Sequence, residues 1–240
     1  MFDTHAHLNF EDFDEERESL IEESFSKNLK IINVGATLKS AEKAVEISQK
    51  EKGIYAAVGV HPLHADEDFQ FDKLADLADE KEVVAIGETG LDMVKPKTIE
   101  RQRDIFKKHI GLAKEKRLPL ILHSRKAHKE TLEMIPDYEG VIHCFTGSLK
   151  EARLYIEKGY LIGVNGIIFK LNLKKVLKEI PLEKIILETD CPYLSPPGWK
   201  GKNTPLAVFE VAEKIAEIKD LSLEEVEKQT DKNAKKLFGI

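Results

Sequence analysis

The run Pro119-Leu120-Ile121-Leu122-His123 is apolar at every position until it stops on a histidine, and that form decides the fold. A strand apolar on both faces must be covered on both faces, which is the condition of a parallel sheet between helices. Seven further short β-branched or apolar runs have the same character, at residues 2–7, 30–34, 54–60, 83–88, 141–144, 161–164 and 185–188. Between them apolar residues return at helical spacing, as at Ile99, Phe106, Ile110 and Ala113, or Val208, Val211, Ala212 and Ile215. A charged helix is expected over 14–26, and Ser222 with Glu225 has the spacing of a capping box that opens a last helix ending near Phe238, before Gly239. Eight strand and helix units in unbroken alternation predict an α/β fold, a closed TIM (β/α)8 barrel. No Pro/Gly/Ser-rich linker divides the chain, so residues 1–240 are expected to form a single domain. The turn-rich segment Ser195-Pro196-Pro197-Gly198-Trp199 follows the eighth run and should be a long loop at one mouth of the barrel.

Composition narrows the functions. The 240 residues include 37 Lys+Arg and 43 Asp+Glu, a formal charge of −6, with 42% hydrophobic and 33% charged residues. That is enough apolar material for one core and too little bias for a disordered chain. A protein holding DNA by charge alone would show a positive excess, so any nucleic acid here is held locally. No window approaches the ~18 apolar residues of a membrane span. Cys144 and Cys191 have no CxxC partner, which excludes a zinc ribbon and a disulfide framework and fits a reducing, cytoplasmic setting. A monomer with no obligate protein partner and no membrane contact is expected.

Polar residues collect where strands end. His5 and His7 are two apart, so both rings share one face of a strand; alone, the pair fits buried hydrogen-bonded histidines as well as a metal site. Glu88, His123 and His143 stand at the ends of the fourth, fifth and sixth runs, and Asp190 lies just past the eighth. In a barrel the C-terminal strand ends form one ring, which makes neighbours of these distant residues. Four imidazoles and two carboxylates exceed what one four-coordinate ion needs and suit two ions sharing a carboxylate, with Glu88 as the bridge. Two divalent ions per chain are expected, and the mixed nitrogen and oxygen set admits Mg, Mn or Zn. Asp190 could hold one ion with one oxygen and take a proton from water with the other, which makes Asp190 and Glu88 the catalytic candidates. No GxSxG elbow surrounds Ser124 or Ser148, and 87–90 lacks the GK[ST] of a phosphate loop. Cys144, beside His143, is expected to pack against the other layer.

The stretches Asp3-Thr4-His5-Ala6-His7-Leu8, Gly59-Val60-His61-Pro62, Ile86-Gly87-Glu88-Thr89-Gly90-Leu91-Asp92, Leu122-His123-Ser124-Arg125, His143-Cys144-Phe145-Thr146-Gly147 and Glu188-Thr189-Asp190-Cys191-Pro192 resemble the TatD family of metal-dependent deoxyribonucleases, across the whole chain. The resemblance implies a TIM barrel of the amidohydrolase-like superfamily, divalent metals, and DNA as substrate, in some members cut as an exonuclease. By position it implies one ion on His5, His7, Glu88 and Asp190, and another on Glu88, His123 and His143. It also implies substrate contacts at His61, Arg125, Lys202 and Asn203; an arginine fork suits phosphate. The chain departs from the family pattern at Lys126, where an aspartate is frequent, at Thr204, where a glutamate is frequent, and at Met93-Val94, where an aromatic residue is usual. Lys95, Lys97, Lys200 and Lys202 are candidates for compensating phosphate contacts. The alternative chemistry is hydrolysis of another ester or amide, such as an aminoacyl-tRNA ester; a metal-stabilised scaffold without turnover is the non-enzymatic alternative.

Overall fold

The computed structural model describes residues 1–67, 70–94 and 96–240. Eight strands, β1 (Phe2–Ala6), β2 (Lys30–Val34), β3 (Ile54–Val58), β4 (Val83–Asp92), β5 (Leu120–Arg125), β6 (Gly140–Ile142), β7 (Tyr160–Val164) and β8 (Ile185–Leu187), pair in parallel in chain order. The helices are α1 (Arg17–Ser26), α2 (Leu38–Lys50), α3 (Phe71–Leu77), α4 (Ile99–Lys116), α5 (His128–Met134), α6 (Leu149–Glu157), α7 (Lys174–Glu179), α8 (Val208–Lys219) and α9 (Leu223–Phe238). This is the single-domain barrel expected from the alternation. The sheet closes just beyond β8, where Ala6 bridges Cys191 in parallel, His7 N–H donates to the Cys191 carbonyl at 3.0 Å and Asp190 N–H to the His5 carbonyl at 2.8 Å.

Strand residues sort into two layers. Ile31, Ala56, Val58, Leu120, Leu122 and Ile142 pack with helix residues on the outside. Ile32, Val34, Ala57, Ala85, Ile121 and Val141 pack with one another inside the barrel, and Ala234, Leu237 and Phe238 of α9 join that inner cluster. The last helix thereby seals the end of the barrel opposite the functional mouth. Its start is fixed as the sequence predicts, by a reciprocal capping box between Ser222 and Glu225, and it ends on Gly239 at φ 68°.

Two irregularities set which side chains face inward. Along a regular strand every second residue faces the same way. Inner Phe2 and inner His5 are separated by an odd count, and the β1/β2 register shifts between Asp3 and Ala6. In β4, Ile86 faces the outer layer and so does Leu91, with a register shift between Ile86 and Thr89 that inserts one extra residue opposite β5. Such a bulge reverses the facing of everything after it, and here it turns Glu88 and Asp92 into the barrel. Glycine is required there: Gly87 and Gly90 have φ of 150° and 140°, and a Cβ on Gly90 would lie 2.1 Å from the His123 carbonyl oxygen. β4 also runs to Asp92 and β5 to Arg125, so Glu88 and His123 lie within strands instead of closing them, while β6 stops one residue before His143.

Candidate metal centre

At the C-terminal mouth the inner side chains meet in a cavity of about 500 Å³. His5 Nε2 lies 3.3 Å from His7 Nε2 and 3.3 Å from Glu88 Oε2, and His7 Nε2 lies 3.4 Å from Asp190 Oδ1. The other oxygen, Glu88 Oε1, lies 2.7 Å from His123 Nδ1, 3.5 Å from His61 Nε2 and 3.8 Å from His143 Nε2. His143 Nε2 is also 3.7 Å from Asp190 Oδ1, so it stands between the two groups. The structure therefore brings all six expected ligand residues to one mouth, with the two oxygens of Glu88 serving separate donor sets.

Neighbouring groups fix the ring orientations. His7 Nδ1 is 2.8 Å from the Val34 carbonyl, an acceptor only, so Nδ1 carries the proton and Nε2 offers its lone pair to the cavity. His123 Nε2 lies 3.1 Å from Asp92 Oδ2, which leaves Nδ1 to face Glu88. His143 Nδ1 is 3.0 Å from Glu188 Oε1, off the hydrogen-bonding direction, so charge more than a directed bond couples the pair. Glu188 Oε1 is held by the Cys144 N–H at 2.7 Å and Asn165 Nδ2 at 3.0 Å. Asp92 and Glu188 stand against the candidate ligand histidines, and the sequence reading assigned neither a role. A carboxylate beside a ligand histidine is the usual support of a metal site, but pairing Asp92 with His123 needs the β4/β5 register, in which Gly90 stands opposite His123.

The charges show what the cluster accepts. Burial alone would raise the Glu88 carboxyl, yet the charge of His143 and the hydrogen bond with His123 help hold it well below its usual range. Burial likewise works against Asp190 ionising, and His143 and His7 outweigh it. Burial would lower His143, but Glu188, Asp190 and Glu88 overcome that and lift it to about 10. His123 is raised too, its burial offset by Asp92 and Glu88. Without a cation the carboxylates thus retain protons on two imidazoles, while burial drives His5 below its usual value. Inward Nε2 lone pairs around ionised carboxylates fit divalent cations that accept nitrogen and oxygen.

The predicted substrate residues separate. His61 lines the cavity, and burial takes it down to about 3, so it is neutral. Its Nδ1 accepts the Leu63 N–H at 3.1 Å, which places its proton on Nε2, facing Glu88 Oε1. Arg125 lines the rim and is exposed. Lys202 and Asn203 are not among the residues that line the cavity. Lys202 Nζ pairs with Glu16 at 2.7 Å, contacts the Asp12 carbonyl and sits 5.0 Å over the Phe13 ring. Asn203 is buried, its amide donating to the Thr189 and Tyr193 carbonyls at 3.1 and 2.6 Å, so it braces the loop after β8. Lys97 and Lys200 are not among the cavity-lining residues, and Lys95 lies outside the described residues. Cys144 is also displaced from its expected packing role: at φ 45° it lines the cavity, its thiol donating to Asn165 Oδ1 at 3.6 Å. No helix among the described residues is long and apolar enough to cross a membrane.

Comparison with known proteins agrees with this geometry. The family described as TatD related DNase matches residues 2–239. A Bacillus subtilis protein named uncharacterized metal-dependent hydrolase YabD is 39% identical, covering 100% of this chain and 99% of its own. A Cronobacter sakazakii protein named 3'-5' ssDNA/RNA exonuclease TatD is 32% identical over 99% of this chain and 97% of its own. The crystal structure of YJJV, a TatD homologue from Escherichia coli, superposes with a TM-score of 0.93 at 29% identity, covering 100% of this chain and 98% of that one. With a barrel mouth lined by clustered imidazoles and carboxylates and a family match over nearly every residue, the chain belongs to the TatD family of metal-dependent hydrolases.

Proposed function

We propose that this chain hydrolyses phosphodiester bonds of DNA with two divalent ions, one on His5, His7, Glu88 and Asp190 and the other on Glu88, His123 and His143. The observation that carries this reading is the division of Glu88, whose Oε2 faces His5 while Oε1 faces His123. When bound, such ions polarise the phosphate and lower the pKa of a water from ~15.7 towards ~7.

The chain's own groups supply the rest. Asp190 keeps Oδ1 among the histidines and can take the proton of the attacking water as the new O–P bond forms. The P–O bond to the leaving sugar oxygen breaks, and that oxygen takes up a proton, restoring Asp190. The neutral His61, whose Nε2–H lies 3.2 Å from His123 Nδ1 and 3.5 Å from Glu88 Oε1, can turn that donor to a phosphate oxygen, and Arg125 at the rim offers a charged fork to the same group. These two donors favour a phosphodiester over a cyclic amide or an aminoacyl ester, which would use the same ions. The Cronobacter relative's name makes single-stranded DNA or RNA ends the first substrates to test.

Glu88→Gln tests the reading. The variant should bind fewer than two ions per chain and lose metal-dependent cleavage while its circular dichroism stays that of the parent. Undiminished cleavage by a preparation free of contaminating nuclease would refute it.

A further inference from the structure

A strand gripped along its backbone needs a row of cations, one for each phosphate neutralised. The described part of the mouth does not provide one. Among the described residues lining the cavity, Arg125 is the only lysine or arginine. Lys202, the other expected contact, is committed to Glu16.

The opposite wall is aromatic. In a ring ordered β1 to β8, the end of β5 that carries Arg125 stands across from the β1/β8 closure, and there Tyr193 overhangs the cavity at 53% exposure. Phe10 already stacks on His7, with centroids 4.4 Å apart and 12° between planes. Tyr193 meets His7 at 6.5 Å and 68°, not stacked on it, and much of its ring is exposed. Its backbone is anchored by Asn203, so the ring is presented by a braced loop. An open aromatic face at the edge of a phosphate site stacks a base of any sequence.

We propose that recognition is confined to one nucleotide step, with Arg125 beside a single phosphodiester and Tyr193 stacked on one flanking base, so that a dinucleotide is a complete substrate. This rests on the phosphodiesterase reading above. The cavity volume of about 500 Å³ suits a ligand of that size. It follows that chain length adds little and that salt weakens binding only slightly.

The test uses the metal-loaded protein with the dinucleotide TpT and an oligothymidylate strand of about 20 nucleotides. Values of kcat/KM counted per chain end should agree within tenfold. A phosphorothioate-linked version of the oligothymidylate, measured by equilibrium binding, should show a log–log salt slope near −0.7, the figure for about one phosphate contact on a single strand. Tyr193→Ala should raise KM for TpT at least about fivefold with kcat held, and Tyr193→Phe should restore most of the loss. A strand preferred tenfold or more, a slope steeper than about −1.5, or an unchanged KM in Tyr193→Ala would overturn the single-step proposal alone. Cleavage of neither diester would remove the phosphodiesterase reading and this one with it.

Discussion

Replacing Asp92 by asparagine should weaken metal binding at the His123 side without unfolding the barrel. Asp92 uses both oxygens as acceptors: Oδ1 takes the Val94 N–H at 2.8 Å, and Oδ2 faces His123 Nε2 at 3.1 Å. Asparagine has one oxygen. If that oxygen stays with Val94, the new NH2 faces His123 Nε2, the ring proton moves to Nδ1, and the lone pair turns away from Glu88. If the amide flips, its NH2 opposes the Val94 N–H instead. A hydrogen bond to a charged group is worth ~1.5–3 kcal/mol. At ~1.4 kcal/mol per decade, that corresponds to about a tenfold to hundredfold loss of affinity, the usual range for a residue supporting a ligand histidine. Affinity would be measured by competition with a chromophoric chelator for Mn2+ and Zn2+, and folding by thermal melting of the metal-free protein. A variant whose affinity stays within about twofold of the parent would show that Asp92 does not set the His123 tautomer.

Two further outcomes concern protons. His143, held at about 10, carries a proton near neutrality that an incoming cation must displace, and His123 is raised in the same direction. Metal binding should therefore release one to two protons and weaken as pH falls, by up to about tenfold per unit for each proton displaced, read by calorimetry in buffers of different ionisation enthalpy; a buffer-independent heat would contradict this. His109, buried in α4, donates from Nδ1 to the Ile105 carbonyl at 2.8 Å and accepts the Val60 N–H at 3.1 Å, and burial lowers it to about 4. Its neutral form belongs to the fold, so the stability it contributes is whole above the unfolded value of 6.5 and is lost as pH falls towards 4. The integrated effect is about 3 kcal/mol. His109→Gln should flatten the decline in Tm over that window, and an unaltered profile would dismiss the assignment.

The barrel was legible because parallel strands buried on both faces leave runs such as Leu120-Ile121-Leu122, and polar residues at the ends of several runs mark the mouth. The six candidate ligand positions were read from that pattern. Strand bounds drifted where strands continue through polar residues, as β4 does to Asp92. The bulges in β1 and β4 were invisible: strict alternation from Phe2 or Ala85 would turn His5 and Glu88 outward, and only the register shifts reverse them. Where Lys202 and Asn203 point was not legible, because a motif position carries no direction. One reaches Glu16 and the other its own loop.

The seam between the first strand and the segment after the last one also has a temporal meaning. Asp3 accepts from Thr189 N–H and Oγ1–H at 2.9 and 2.6 Å, so the ends of the chain lock beside the donors they carry. The ribosome makes His5 and His7 long before Asp190, which lies beyond the last strand. A nascent fragment accordingly owns two imidazoles with nothing to complete them. The candidate centre can therefore be complete only once the segment after the last strand has closed on the first.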